Sequence, residues 1–201
     1  MKRVFLLTAL VCMMMVSCKP DGANGKHEGH EYVDLGLSVK WATCNVGADN
    51  PSDYGYYFAW GETSPKAEYT EDNCSTFGKQ INDISGDAQY DAATANWGGE
   101  WRMPTEGEMS ELLNNCTWTW TNQNGVNGYN VVGTNGNSIF LPVAGDRYGS
   151  LLDHVASYGN YWSSTPGENT SNAYDLHFGS DNCRINDFSR YYGQSVRPVL
   201  E

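Results

Sequence analysis

One stretch of this chain limits its fold more than any other: Pro104-Thr105-Glu106-Gly107-Glu108-Met109-Ser110-Glu111-Leu112-Leu113, where a full set of helix signals coincides. Thr105 and Glu108 stand at capping-box spacing, so each side chain can satisfy an orphan amide at the helix start. Met109, Leu112, Leu113 and Cys116 recur at helical intervals and define one buried face. Glu106, Glu108 and Glu111 then read as a solvated face favoured by the helix dipole, not as catalytic acids. Elsewhere the periodicity is that of strands. Val33, Leu35, Leu37, Val39 and Trp41 alternate with more polar residues, and Tyr56-Tyr57-Phe58-Ala59-Trp60 is a second strand candidate. Short strand-like runs follow at 117–120, 129–132, 138–143, 161–163, 173–178 and 195–199. Asn124-Gly125, Asn127-Gly128 and Asn135-Gly136 are hairpin-type turn signals. Residues 62–96, rich in Asp, Asn, Thr, Ser and Gly, predict a long decorated loop region. One or two helices with short antiparallel strands and long loops predict an α+β domain.

The N-terminus sets the compartment. Lys2 and Arg3 precede an apolar run from Val4 to Val16 that ends at Ser17-Cys18. Such a run is a secretory signal, too short for a bilayer span of about 20 residues. It resembles a bacterial lipoprotein signal, which implies removal of residues 1–17 and lipidation of Cys18. Lys19 and Asp21 resemble the surface-export signal of Bacteroidetes lipoproteins. The expected protein is therefore lipid-anchored in the outer membrane, facing the exterior, and touches the membrane only through its lipid. Residues 18–31 are expected to form a flexible tether, and residues 32–201 one well-cored domain. The formal net charge of −12 argues against nucleic acid as a partner.

Export makes disulfides available to Cys44, Cys74, Cys116 and Cys183, with three full pairings open. Cys44 follows a strand-like run and Cys116 ends the helix, and these two are the expected pair. Catalytic signals are weak. His154 or His177 would need an acid behind it and a serine in front, and no nucleophile-elbow motif is present. His27, Glu28 and His30 could bind metal only as a tether sequence. No cofactor is expected; loop acids leave a structural calcium open.

Three pieces in order carry a family resemblance: Trp101-Arg102-Met103-Pro104-Thr105-Glu106, Tyr161-Trp162-Ser163-Ser164-Thr165, and Gly193-Gln194-Ser195-Val196-Arg197-Pro198-Val199. The chain from about Tyr32 to Glu201 resembles the C-type lectin fold in its formylglycine-generating-enzyme branch, and is similar to the major-paralogous-domain lipoproteins of Bacteroidetes. The resemblance implies a C-type lectin-like fold. Oxidase activity in that branch depends on a suitably placed cysteine pair, and only Cys183 lies in the last third, so no enzyme is expected. The calcium-site motifs of sugar-binding lectins are absent, since Gly167-Glu168-Asn169 lacks the proline.

The last third resembles, more narrowly, the variable proteins of diversity-generating retroelements. Their C-terminal coding segment is rewritten at template adenines, which turns Asn codons into many others but not into Lys, Glu, Gln, Met or Trp. Residues 169–193 contain none of those five. The resemblance implies a diversified segment over about 158–192. Leu176, Phe178, Ser180, Arg190, Gly193, Ser195 and Val196 are the expected scaffold. Tyr174, Asp175, His177, Gly179, Asp181, Asn182, Cys183, Arg184, Asn186, Asp187, Ser189, Tyr191 and Tyr192 are the expected ligand-binding surface. Their Tyr, Ser, Gly and Asn bias matches antibody paratopes. The expected function is a surface-displayed receptor or adhesin for a protein or glycan on another cell, phage or host surface. The alternative is a fixed-specificity glycan-binding or scaffold lipoprotein of the same fold.

Overall fold

The computed structural model describes residues 25–201, so the leader and Cys18 lie outside the described residues. The described residues form an α+β architecture, with two helices and small antiparallel sheets. Strands β1 (Gly25–His27), β2 (His30–Val33), β3 (Lys40–Ala42) and β12 (Val199–Leu200) form one sheet in that order, which joins the two ends of the described chain. A meander of β4 (Thr117–Gln123), β5 (Val126–Val132) and β6 (Ser138–Pro142) forms a second. Strands β7 (Asp146–Tyr148) and β8 (Leu151–Asp153) make a two-stranded hairpin. Strands β9 (Gly159–Pro166), β10 (Asn172–Gly179) and β11 (Asn182–Ser189) form the sheet that carries the last third, with β10 in the centre.

The predicted helix is α2 (Glu106–Asn115). Its capping box forms: the Thr105 hydroxyl accepts from the Glu108 amide at 3.2 Å, and the Glu108 carboxylate accepts from the Thr105 amide at 2.8 Å. Arg102 locks the same carboxylate through two guanidinium bonds of 2.8 and 2.6 Å, which with the cap amide hold Glu108 below the usual carboxylate range against its burial. Met109 and Leu112 are buried, and Leu113 is half-buried. Met109 and Leu112 pack, with Val33, Leu35, Trp41, Val131, Leu141 and Val199, under the inner face of β10, where Leu176 and Phe178 are buried.

Several expectations change. Residues 25–31, expected in the tether, belong to the β1–β2 hairpin. His30 stacks on Trp97 at 3.7 Å and His27 lies edge-on to Trp101, so both imidazoles are packed on aromatic rings. The alternation from Val33 to Trp41 is not one strand. Gly36 (φ 74°) turns the chain between β2 and β3, yet Leu35, Val39 and Trp41 are all buried. Asn127-Gly128 is not a turn: it lies within β5, where a side chain at Gly128 would meet the Leu141 carbonyl at 2.3 Å. Asn124-Gly125 does turn β4 into β5, with both residues at positive φ. The long region 62–96 runs at its end into a short helix, α1 (Ala92–Trp97), capped by Asp91. The expected Cys44–Cys116 bridge is not formed, and among the described residues Cys44, Cys74, Cys116 and Cys183 all carry free thiols. Cys116 packs against the α2 core, and Cys44 sits beside Thr43 at a cleft lined by His30 and Trp97.

Two guanidiniums hold the C-terminal motif without any carboxylate. Arg197, fully buried, donates to Asn45 Oδ1 and to the carbonyls of Ala42, Thr43 and Phe140 at 2.8–3.1 Å. Arg190 stacks on Trp60 at 4.2 Å and donates to the carbonyls of Asn172, Thr76 and Lys79. It thereby pins the loop at 76–79 to the end of β11. Both groups satisfy the rule that a buried charge must have its donors used.

Candidate ligand-binding face

The register of β10 with β11 sorts the expected binding residues. In an antiparallel ladder, paired residues share a face and successive residues alternate. Leu176 pairs with Ile185 and Phe178 with Cys183, all turned toward the α2 core. Tyr174 pairs with Asp187, and Asn172 with Ser189, on that same side. The opposite face carries the pairs Asp175–Asn186, His177–Arg184 and Gly179–Asn182. The binding set is thus divided between the two sides of the sheet.

Three of the expected surface residues, Cys183, Asp187 and Ser189, therefore do other work. Cys183 packs against the core beside Phe178, which raises its thiol pKa by burial. Asp187 accepts from Asn172 Nδ2 at 3.1 Å, and Ser189 contacts Asn172 Oδ1 at 3.4 Å, so these two tie the strand ends together. Tyr174 is half-buried, and its carbonyl accepts from Ser163 Oγ. Two more expected surface residues, Asp175 and Gly179, lie on the outer face but are buried. Tyr158 covers Gly179. Asp175 is wholly buried between Trp162 and Asn186, its ladder partners, and neither carboxylate oxygen has a hydrogen-bond partner. Burial pushes its carboxyl up to about 8, against the opposing pull of Gln194, Asn186 and Arg184. Among the expected scaffold residues, Leu176, Phe178, Arg190, Gly193, Ser195 and Val196 are buried, whereas Ser180 is exposed at the β10–β11 turn.

What remains on the open face is chemically mixed. Asp181, Asn182 and Arg184 are exposed, and Asn186, His177, Tyr191 and Tyr192 are half-buried. His177 Nδ1 lies 2.7 Å from Asn160 Oδ1, and its ring stacks on Tyr158 at 5.2 Å. Burial first, then the nearby Arg184 and His154, lower its pKa, so the neutral ring with a proton on Nδ1 is the form that donates to Asn160. Tyr192 packs on Phe188 at 4.7 Å and on Tyr191 at 4.8 Å, and both tyrosines reach Tyr148.

Sequence reasoning missed the neighbouring elements. The loop from β8 to β9 holds His154 (φ 55°) and Ala156 (φ 64°) in the left-handed region, uncommon for side chains other than glycine. His154 Nδ1 meets the buried carboxylate of Asp146 at 2.7 Å. The loop delivers Tyr158 onto His177, and the β7–β8 hairpin delivers Tyr148 onto Tyr192. A cleft of about 320 Å³ lies between this loop and the β10–β11 turn, lined by Trp120, Ser157, Tyr158, Asp181 and Asn182. His154 was legible only as a lone histidine.

Comparison with protein-family models, curated proteins and solved structures finds no match to this chain.

Proposed function

We propose that this protein is a surface-displayed lipoprotein that binds a ligand through a diversified face on a C-type-lectin-like scaffold. The observation that carries the reading is the two-sidedness of β10–β11. Its inner face is fixed on the α2 core by Leu176, Phe178 and Ile185. Its outer face ends in exposed Asn182 and Arg184, which belong to no buried cluster, flanked by half-buried Tyr191 and Tyr192 at the edges of two other clusters. Such a sheet can accept many outer-face sequences without a change of fold. Tyrosines give large contact area at low entropy cost, and short polar residues adapt to the partner. The working set of binding residues is His177, Asp181, Asn182, Arg184, Asn186, Tyr191 and Tyr192.

Two measurements test the reading. The DNA around the gene should contain a near-copy of the 3′ coding segment that differs at adenines, beside a reverse transcriptase gene; a 3′ segment with no such copy would remove the diversification. Cys18→Ala should release the protein from the membrane fraction, because stable anchoring needs acyl chains worth about 0.8 kcal/mol per buried CH₂. Retention of the variant with membranes would sink the lipoprotein assignment.

A further inference from the structure

Strand β7 sends its side chains to two sides. Tyr148 stacks on Tyr192, whereas Arg147, one residue earlier, turns the other way and lies over the ring of Tyr57 at 5.2 Å. There Arg147 lines a cavity of about 300 Å³, walled also by Tyr56, Tyr57, Pro65, Lys66 and Tyr69. Its walls are held by their own hydrogen bonds. The Tyr57 hydroxyl donates to the Ala144 carbonyl at 2.5 Å, and the Tyr69 hydroxyl donates to the Tyr57 carbonyl at 2.6 Å. The backbones of Arg147 and Gly193 exchange two bonds of 2.8 and 2.9 Å. Burial raises the pKa of both phenols against the pull of Arg147, so neither brings a negative charge into the cavity.

One charge in this cavity is left for a ligand. Lys66 is paired with Glu62 at 2.8 Å and donates to the Asn73 carbonyl at 3.0 Å. Arg147 is half-buried, and among the described residues its side chain has neither an ion pair nor a hydrogen bond. No acid lines the cavity. The acids of the hairpin are on its other side: Asp146 is bound to His154 at 2.7 Å, and Asp153, its ladder partner, accepts from the His154 amide at 3.0 Å. We infer that this cavity is a second binding site, and that its ligand is a small ring compound carrying one carboxylate. The inference is independent of the binding-face reading, because every lining residue lies outside 158–192 and the site is the same whatever that segment carries. A guanidinium fork matches a carboxylate through two parallel hydrogen bonds. A single unneutralised positive charge selects a monoanion over a dianion such as phosphate in a chain of net charge −12. Tyr56, 49% exposed, offers a flat wall to a ring. The volume is at the low end of the range of about 300–1,000 Å³ for small-molecule pockets, which suits one ring better than a chain of them.

Titration calorimetry of the purified full chain tests this with glucuronate against its neutral counterpart glucose, benzoate against its neutral counterpart benzyl alcohol, and inorganic phosphate. At least one carboxylate should bind about tenfold or more tightly than its neutral counterpart and than phosphate. A preference in the glucuronate pair alone identifies a sugar acid, in the benzoate pair alone an aromatic acid, and in both a site that reads only the ring and the carboxylate. Arg147→Met keeps the stem over Tyr57 and should remove the preference. Arg147→Lys keeps the charge without the fork and should restore only part of it. Tyr56→Ala should weaken both members of a pair and leave their ratio unchanged, and Arg184→Ala should change nothing. Carboxylate binding that is lost in Arg184→Ala and kept in Arg147→Met puts the anion on the β10–β11 face and overturns the cavity site. In the parent protein, where folding of a variant is not in question, equal binding of charged and neutral probes, no binding of either carboxylate, or phosphate binding as tight as carboxylate overturns the inferred ligand.

Discussion

Phe178→Ala should lower stability by about 3–5 kcal/mol, whereas Arg184→Ala, one ladder position away on the other side, should change it by no more than about 0.5 kcal/mol. Phe178 has no exposed surface and meets three rings: Trp118 at 5.9 Å, Tyr129 at 5.6 Å and Tyr161 at 5.6 Å. Its own ring lies over Gly159, where a Cβ would come within 2.2 Å of it. Truncation therefore opens a void that borders a backbone without a side chain to fill it, and the lost dispersion contacts are not recovered. Arg184 stands in solvent with no ion pair among the described residues, so its removal takes away little of the folded state. His177 falls between them, since its bond to Asn160 and its stack on Tyr158 are worth about 1 kcal/mol together. Urea unfolding of the three variants gives the comparison. Equal losses for Phe178→Ala and Arg184→Ala would make the outer face part of the core and end its reading as a free surface.

The same contrast shows where sequence reading succeeds. Local signals with one dominant cause were legible: the Thr105–Glu108 box and the period of Met109 and Leu112 mark α2 directly, and the Leu176–Phe178 alternation marks the inner face of β10. What failed depends on partners outside the segment itself. Strand β11 reads Asn-Cys-Arg-Ile-Asn-Asp-Phe-Ser, a poor strand by propensity, and forms because β10 supplies a full ladder to it. Period two separates the sides of a strand but cannot say whether the second side is covered. Asp175 sits on the outer side with His177, as the alternation implies, yet Trp162 and Gln194 close over it from segments 13 residues before and 19 residues after. The β7–β8 hairpin carries a Gly149-Ser150 turn signal that sequence reading passes over, because the strands on either side are only three residues long. Residues 25–31 look like a linker by composition, and they are ordered because Trp97 and Trp101 offer flat faces to two histidines.

Asp175 should make this domain less stable as pH rises, the reverse of the usual behaviour of a carboxylate. The burial that removes both oxygens from water outweighs the pull of Gln194, Asn186 and Arg184, and it holds the folded-state carboxyl at about 8, against an ordinary value of 3.8. Between those values the folded protein keeps a proton that the unfolded chain has released. Unfolding then releases a proton, so stability falls by about 1.4 kcal/mol per pH unit from this group. The contribution is complete below pH 4 and is lost by about pH 8, for a total on the order of 5 kcal/mol. Asp175→Asn keeps the shape, carries no charge at any pH, and gains an amide that can donate to the unpartnered Gln194 Oε1. The variant should match the parent near pH 4 and exceed it by several kcal/mol at pH 9. Other groups that titrate over the same range cancel in the difference between the two proteins, and Glu108, whose pKa is lowered, acts only at more acid pH and with the opposite sign. Urea unfolding of both at pH 5 and pH 9 isolates the term. A stability difference that is the same at the two pH values would mean that Asp175 is ionised in the folded protein, with the outer face open enough to hydrate it.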